Sequence, residues 1–204
     1  MKYMPLFFDV TGREVLIIGG GKVALRRARQ FSEAGARLTV VAPDILTEFK
    51  ELPEATLTCR GATIDDLQPQ FIFTIIASSN TTVNDALAAA CREKRMLFSR
   101  CDSFNDGDFI GGSIIAKGDI ICSTVSGGVP AVSKYLQNRI DRLIRPELLE
   151  LTAVLAEIRS RVKTSGLSEV EKADFMARWV CDAVLERIAR EGIEKIREEI
   201  TACL

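Results

Sequence analysis

Apolar residues fall in short runs over the first hundred residues, and the stretches between those runs repeat at helical spacing. Val15 to Ile18 is an unbroken apolar run, the pattern of a strand buried on both faces. From Lys22 to Ala34 a helix is predicted, with Val23, Ala24, Leu25, Ala28 and Phe31 available for packing and Gly35 as its stop. Arg37 to Ala42 is a second β-rich run ending at Pro43. Strand, helix and strand in this order make one βαβ unit, whose strands must run parallel. Further strands are predicted over 55–59, 71–77 and 96–101, with a helix over 82–94 between the last two.

The alternation stops near residue 110. Phe109 to Ile115 and Asp119 to Thr124 are predicted to form a hairpin with its turn at Lys117-Gly118. From Ala131 onward the pattern is helical, and Pro146 and the Thr164-Ser165-Gly166 break divide it into three predicted helices. Val184 to Ile200, rich in Glu, Lys and Arg, reads as one solvated amphipathic helix.

Composition narrows the function more than the fold. The chain has 204 residues, 47% hydrophobic and 27% charged, the balance of a globular protein with a substantial core. No stretch approaches the ~20 apolar residues of a membrane span, and the few apolar residues before Asp9 are too short for a secretory h-region. A mature cytoplasmic protein without membrane attachment is expected. The net charge of −1 gives no reason to expect a nucleic-acid partner. Cys59, Cys91, Cys101, Cys122, Cys181 and Cys203 contain no C-x-x-C pair and fit buried reduced thiols, not a disulfide framework or a zinc site. There is no histidine, which excludes a Ser-His-Asp triad, an imidazole base and a histidine metal ligand; no metal site is expected.

The run Gly19-Gly20-Gly21-Lys22-Val23-Ala24 fits G-x-G-x-x-G/A between a predicted strand and a predicted helix. In a dinucleotide site the first glycine permits the bend, Gly21 leaves room for a pyrophosphate, Ala24 lets helix and strand approach, and the helix N-terminus attracts the anion. A bare strand-to-helix turn is the competing reading. The acid expected about 20 residues on, at the end of the second strand, is replaced by Val41 and Ala42, and Asp44 follows Pro43, so NAD and NADP stay undecided at that position. Ala77-Ser78-Ser79-Asn80, after the 71–77 strand, is either a second cofactor contact or a helix-capping loop.

Together with the glycine run, the opening Pro5-Leu6-Phe7-Phe8-Asp9-Val10 segment and Gly35-Ala36-Arg37-Leu38-Thr39-Val40-Val41-Ala42-Pro43 make the chain resemble the precorrin-2 dehydrogenase family, the siroheme synthase N-terminal module. The likeness continues through Ala77-Ser78-Ser79 with Asn84, Cys101-Asp102, Phe109-Ile110 and Ser126-Gly127-Gly128, covering about residues 1–145. It implies a Rossmann-like parallel sheet domain over 1–112, a small β-containing dimerisation and substrate region over 113–147, and a helical C-terminal region over 148–204. It implies NAD-dependent oxidation of precorrin-2, a tetrapyrrole, to sirohydrochlorin by a homodimer, with iron insertion as a second activity in some members. Asp102 matches the family's catalytic aspartate, Ser126, Gly127 and Gly128 its substrate turn, and Gly19 to Ala24, Pro43, Ala77, Ser78 and Ser79 its cofactor contacts. Three positions depart from the pattern: Ser99 stands for Asn, Gly112 for Pro, and Ser126 to Pro130 is one residue short.

Read from the residues alone, Asp102 is better taken as a turn former within Asp102-Ser103-Phe104-Asn105-Asp106-Gly107-Asp108 than as a catalytic group. A calcium loop is excluded there, because Phe104 sits at a ligand position and Ser113 replaces the closing Glu. On the same footing, Ser126 to Gly128 is better taken as a bend before the helix than as a substrate contact. Lys134, Arg139, Arg142 and Arg145 either face an anionic ligand or form a solvated helix face. A non-catalytic NAD-binding regulatory module is the alternative function, since a sensor needs no carboxylate at 102.

Overall fold

The computed structural model describes residues 3–204. The chain divides into two compact units, Met1–Gly111 and Gly112–Leu204.

The first unit is an all-parallel five-stranded sheet, order β3-β2-β1-β4-β5, built from β1 (Glu14–Ile18), β2 (Arg37–Ala42), β3 (Ala55–Cys59), β4 (Phe71–Ile76) and β5 (Phe98–Arg100). Strand alternation sorts the side chains into two layers. Val15 and Ile17 join Leu38, Val40, Phe73 and Ile75 against Ala24, Leu25 and Ala28 of α1 (Lys22–Glu33). Leu16 and Ile18 join Val41 and Ile76 against Leu87, Ala88 and Cys91 of α2 (Thr81–Glu93). The continuous apolar run of β1 is therefore used on both faces, as a Rossmann-like centre requires. Val23, expected to pack, is instead 44% exposed at the first turn of α1.

Two strand boundaries move for local reasons. The strand expected over 96–101 is only Phe98–Arg100, because Arg95 (φ +55°) and the Met96 N–H bond to the Cys91 carbonyl at 2.9 Å are spent closing α2. The first hairpin strand starts at Ser113, not Phe109. Phe109 packs on Phe73 with ring centroids 4.7 Å apart, and the Gly111 carbonyl accepts a 3.0 Å bond from Arg27, so both belong to the first unit.

The second unit opens with the antiparallel pair β6 (Ser113–Lys117) and β7 (Ile120–Thr124), followed by α3 (Pro130–Leu143), α4 (Pro146–Thr164), α5 (Glu169–Ala177), α6 (Asp182–Glu191) and α7 (Ile193–Ala202). Five helices replace the expected three. The single solvated helix expected over 184–200 is two helices split at Gly192, and Val184, Leu185, Ile188, Ile196 and Ile200 are buried with Leu151, Val154, Phe175 and Trp179 in one core. The charged residues of this stretch cover only its outer side. Of the six cysteines, expected to be buried, Cys91 is buried, Cys101 and Cys122 are partly so, and Cys59, Cys181 and Cys203 are exposed; all six are free thiols. Among the described residues no helix is long and apolar enough to cross a membrane.

Candidate active site

Because the sheet is parallel, the carboxyl ends of its strands lie along one edge, and β1 and β4 are the neighbours at which strand order reverses. The crevice at such a reversal is where ligands of open α/β sheets bind. Four of the expected segments emerge there: Gly19-Gly20-Gly21 after β1, Pro43 after β2, Ala77-Ser78-Ser79 after β4, and Cys101-Asp102 after β5.

The three glycines have different surroundings. Gly19 has φ +125°, and a Cβ on it would lie 2.5 Å from the Ala77 carbonyl oxygen, so the β1 and β4 loops touch. A Cβ on Gly20 would overlap the Asp44 carbonyl, and the Leu46 N–H donates to the Gly20 carbonyl at 3.0 Å; the segment after Pro43 thus lies directly on the turn. Gly21 is the N-cap of α1, makes no side-chain capping bond, and has nothing within 4 Å of the position of a Cβ. The first N–H groups of a helix have no intrahelical partner. Beside Gly21 they open onto free space, while Lys22 and Val23 are exposed and Ala24 is fully buried against the sheet. This turn has the room and the donors that a dinucleotide pyrophosphate needs.

After β4, Asn80 accepts the Val83 N–H at 3.1 Å and so caps α2. The expected capping role is real, but it belongs to Asn80. Ser78 does something else: its hydroxyl donates to Asn84 Oδ1 at 2.6 Å, and Asn84 Nδ2 donates to the Ser78 carbonyl and to Asp102 Oδ2, both at 3.0 Å. Asn84 was absent from the expected site residues. Its signal was its place on the α2 stripe with Leu87, Ala88 and Cys91, where an amide is as buried as its apolar neighbours.

Asp102 also receives a two-pronged bond from Arg100, Nε to Oδ1 at 3.0 Å and Nη2 to Oδ2 at 2.7 Å. The Arg100 guanidinium in turn donates to Asp85 at 2.6 Å and to Asp106 at 2.8 Å, and Arg92 pairs with Asp106. The Arg100 fork, with the Asn84 amide behind it, pulls the Asp102 carboxyl down from 3.8 to about 2. Burial pushes the Cys101 thiol up, so it stays protonated at neutral pH. Asp102 is therefore a fixed negative charge with a 26% exposed side chain. Such a group stabilises an adjacent cation well and is a weak proton acceptor. The loop from Asp102 to Asp108 turns back along β5 through a Ser99–Gly107 bridge, and Ser99 is 6% exposed within that pairing.

Ser126, Gly127 and Gly128 belong to the second unit. Gly127 (φ +56°) and Gly128 (φ +86°) take the left-handed conformation, while Ser126 Oγ lies 2.5 Å from the Val129 carbonyl and 2.6 Å from Ser133 Oγ, bending the chain into α3. Gly112 has a local reason to be glycine: a side chain there would overlap Ser123 Oγ and lie 2.9 Å from the Thr124 carbonyl. On α3, Lys134 and Arg142 are exposed and Arg139 lies over the Tyr135 ring; Arg145 pairs with Asp182 at 3.4 Å.

The family model described as putative NAD(P)-binding matches residues 6–113. Siroheme synthase 2 of Pectobacterium atrosepticum is 30% identical over 202 residues, 97% of this chain and 44% of that protein. The siroheme synthase of Ectopseudomonas mendocina is 35% identical over 165 residues, 80% of this chain and 36% of that one. The chain thus spans less than half the length of these relatives. Among solved structures, SirC, a precorrin-2 dehydrogenase, shares the fold with a TM-score of 0.78 at 22% identity, covering 98% of this chain and 100% of that one.

Proposed function

Since the chain belongs to the putative NAD(P)-binding family, we propose that it is an NAD-dependent dehydrogenase that oxidises precorrin-2 to sirohydrochlorin. The observation that carries this reading is that the open Gly21 turn and the ionised Asp102 share one edge of one sheet, joined through Ser78 and Asn84. The similarity to siroheme synthases supports the choice of substrate.

When bound, the nicotinamide supplies the hydride acceptor. The N–H groups at Gly21, Lys22 and Val23 hold its pyrophosphate, Ala24 keeps α1 close to the sheet, and Pro43, Ala77, Ser78 and Ser79 line the crevice on either side of the glycine turn. Asp102 is the catalytic carboxylate. It stabilises the positive charge left on the macrocycle when hydride departs, and the acidified neighbouring proton passes to solvent. Each two-electron oxidation of substrate yields one NADH and one proton. Ser126, Gly127 and Gly128 contact the tetrapyrrole within a dimerisation and substrate region, 113–147, ahead of the helical region 148–204. A homodimer formed through this unit is supported by the exposed Val132, Leu136 and Leu143 on α3 and by Ile114 and Ile121 on the hairpin. The free thiols suit the cytoplasm.

The test is anaerobic incubation with NAD and precorrin-2, following NADH absorbance and the sirohydrochlorin spectrum. NADH and sirohydrochlorin are expected in equal amounts. Folded protein that binds NAD and forms neither is a non-catalytic NAD-binding module. Ferrous iron added afterwards, with and without protein, shows whether the chain also accelerates metal insertion.

A further inference from the structure

Asn84 is a polar side chain placed where the pattern of α2 calls for an apolar one. It is 0% exposed, and it shares its face with Leu87, Ala88 and Cys91. Burying an amide is unfavourable unless its groups are bonded, and a leucine would fill the same stripe without that cost. Asn84 is not needed to cap α2, because Asn80 does so. Both of its N–H groups and its oxygen are instead committed outward: Oδ1 accepts from Ser78 Oγ at 2.6 Å, and Nδ2 donates to the Ser78 carbonyl and to Asp102 Oδ2, each at 3.0 Å.

The two anchors of Asp102 therefore differ in kind. Arg100 supplies charge and is itself fixed by Asp85 and Asp106. Asn84 supplies no charge, and its other bonds run to the loop that follows β4. That loop touches Gly19 of the cofactor turn. A movement of Ser78 when a ligand enters the crevice reaches Asp102 through one side chain whose two N–H groups are both committed.

We propose that Asn84 is a positioning residue that aims the Asp102 carboxylate and couples its orientation to the Ala77-Ser78-Ser79 loop, so that cofactor binding sets the carboxylate for reaction. The catalytic part of this inference rests on the dehydrogenase reading above; the coupling does not. The test uses the full chain in three forms: wild type, Asn84→Leu, which suits the buried stripe and removes every bond of the connection, and Ser78→Ala, which removes the hydroxyl bond to Asn84 Oδ1 and keeps the carbonyl bond to Nδ2. With 13C-labelled aspartate, the Asp102 carboxyl resonance is assigned by its loss in Asp102→Asn and followed as NAD is added. It is expected to shift in the wild type, to shift less in Ser78→Ala and to stay still in Asn84→Leu. A full shift in Asn84→Leu, or none in the wild type, overturns the coupling whatever the chain oxidises. In turnover with precorrin-2, Asn84→Leu is expected to lower kcat about 100-fold, the scale of an ångström-sized misplacement, with KM for NAD changed less than about threefold. An unchanged kcat, or a loss confined to KM, overturns the catalytic part. Wild type that makes no NADH fails the dehydrogenase reading alone, since the resonance experiment still decides the coupling.

Discussion

Gly20 and Gly21 are adjacent and chemically identical, and their surroundings are opposite. A methyl group on Gly20 would overlap the backbone at Asp44, whereas one on Gly21 would meet nothing within 4 Å and sit on ordinary backbone at φ −88°. Gly20→Ala is expected to cost about 1–3 kcal/mol by overpacking. Gly21→Ala should leave stability within about 0.5 kcal/mol while weakening NAD binding at least about tenfold, because the methyl occupies the room left for the pyrophosphate. Denaturant unfolding and calorimetric NAD titration of both variants separate the two effects. A Gly21→Ala protein that binds NAD normally would refute the cofactor role given to this turn. The turn itself was legible from spacing alone, because strand, glycines and helix are contiguous. Its contacts with Ala77 and Asp44 were not, since they join residues more than twenty positions apart and depend on strand order. Asn84 was half legible: helical period put it on the buried stripe, but only the register of β4 and β5 shows what it bonds.

At the scale of elements, the α/β half follows its apolar periodicity closely, and the helical half does so only where glycine or proline marks a break. Pro146 and Ser165-Gly166 lie at breaks as expected. The break between α5 and α6 falls at Val180-Cys181, where Cys181 takes extended backbone with no glycine or proline to announce it. The break at Gly192 was hidden because the charged residues on both sides have the composition of one solvated helix. Gly192 holds φ +84° and ψ 156°, a region open essentially to glycine, and nothing lies near its missing Cβ. Gly192→Ala should therefore destabilise through backbone conformation alone, by about 1–3 kcal/mol. The measurement is a shift in denaturant midpoint without loss of NAD affinity, since the first unit carries the cofactor turn. A neutral effect would mean that α6 and α7 join differently.

For the molecule as a whole, the titration of its side chains sets an unusual pH profile. There is no histidine, so no imidazole titrates between about pH 5 and 7. Asp102 is drawn down to about 2 by Arg100, and Glu191 to about 2 by Lys195 and then Arg187, while Asp66 and Glu199 are lowered by their arginine partners. For a carboxyl whose folded pKa lies below its unfolded value, the unfolded chain binds more protons between the two values. Its stabilisation is complete above the unfolded pKa near 4 and is lost as pH falls toward 2. Urea midpoints should therefore stay level from about pH 5 to about 7 and fall steeply below about pH 4; a step near pH 6 would contradict this.

The loop that carries Asp102 has one more effect on the molecule. It folds back on β5, an outermost strand, with the Asp108 N–H on the Phe98 carbonyl at 2.9 Å and the Phe98 N–H on Asp108 Oδ2 at 3.1 Å. An unpaired outer strand is a template for strands of other molecules. Here the protein's own chain occupies that template, so the segment that presents the carboxylate also protects the sheet from aggregation.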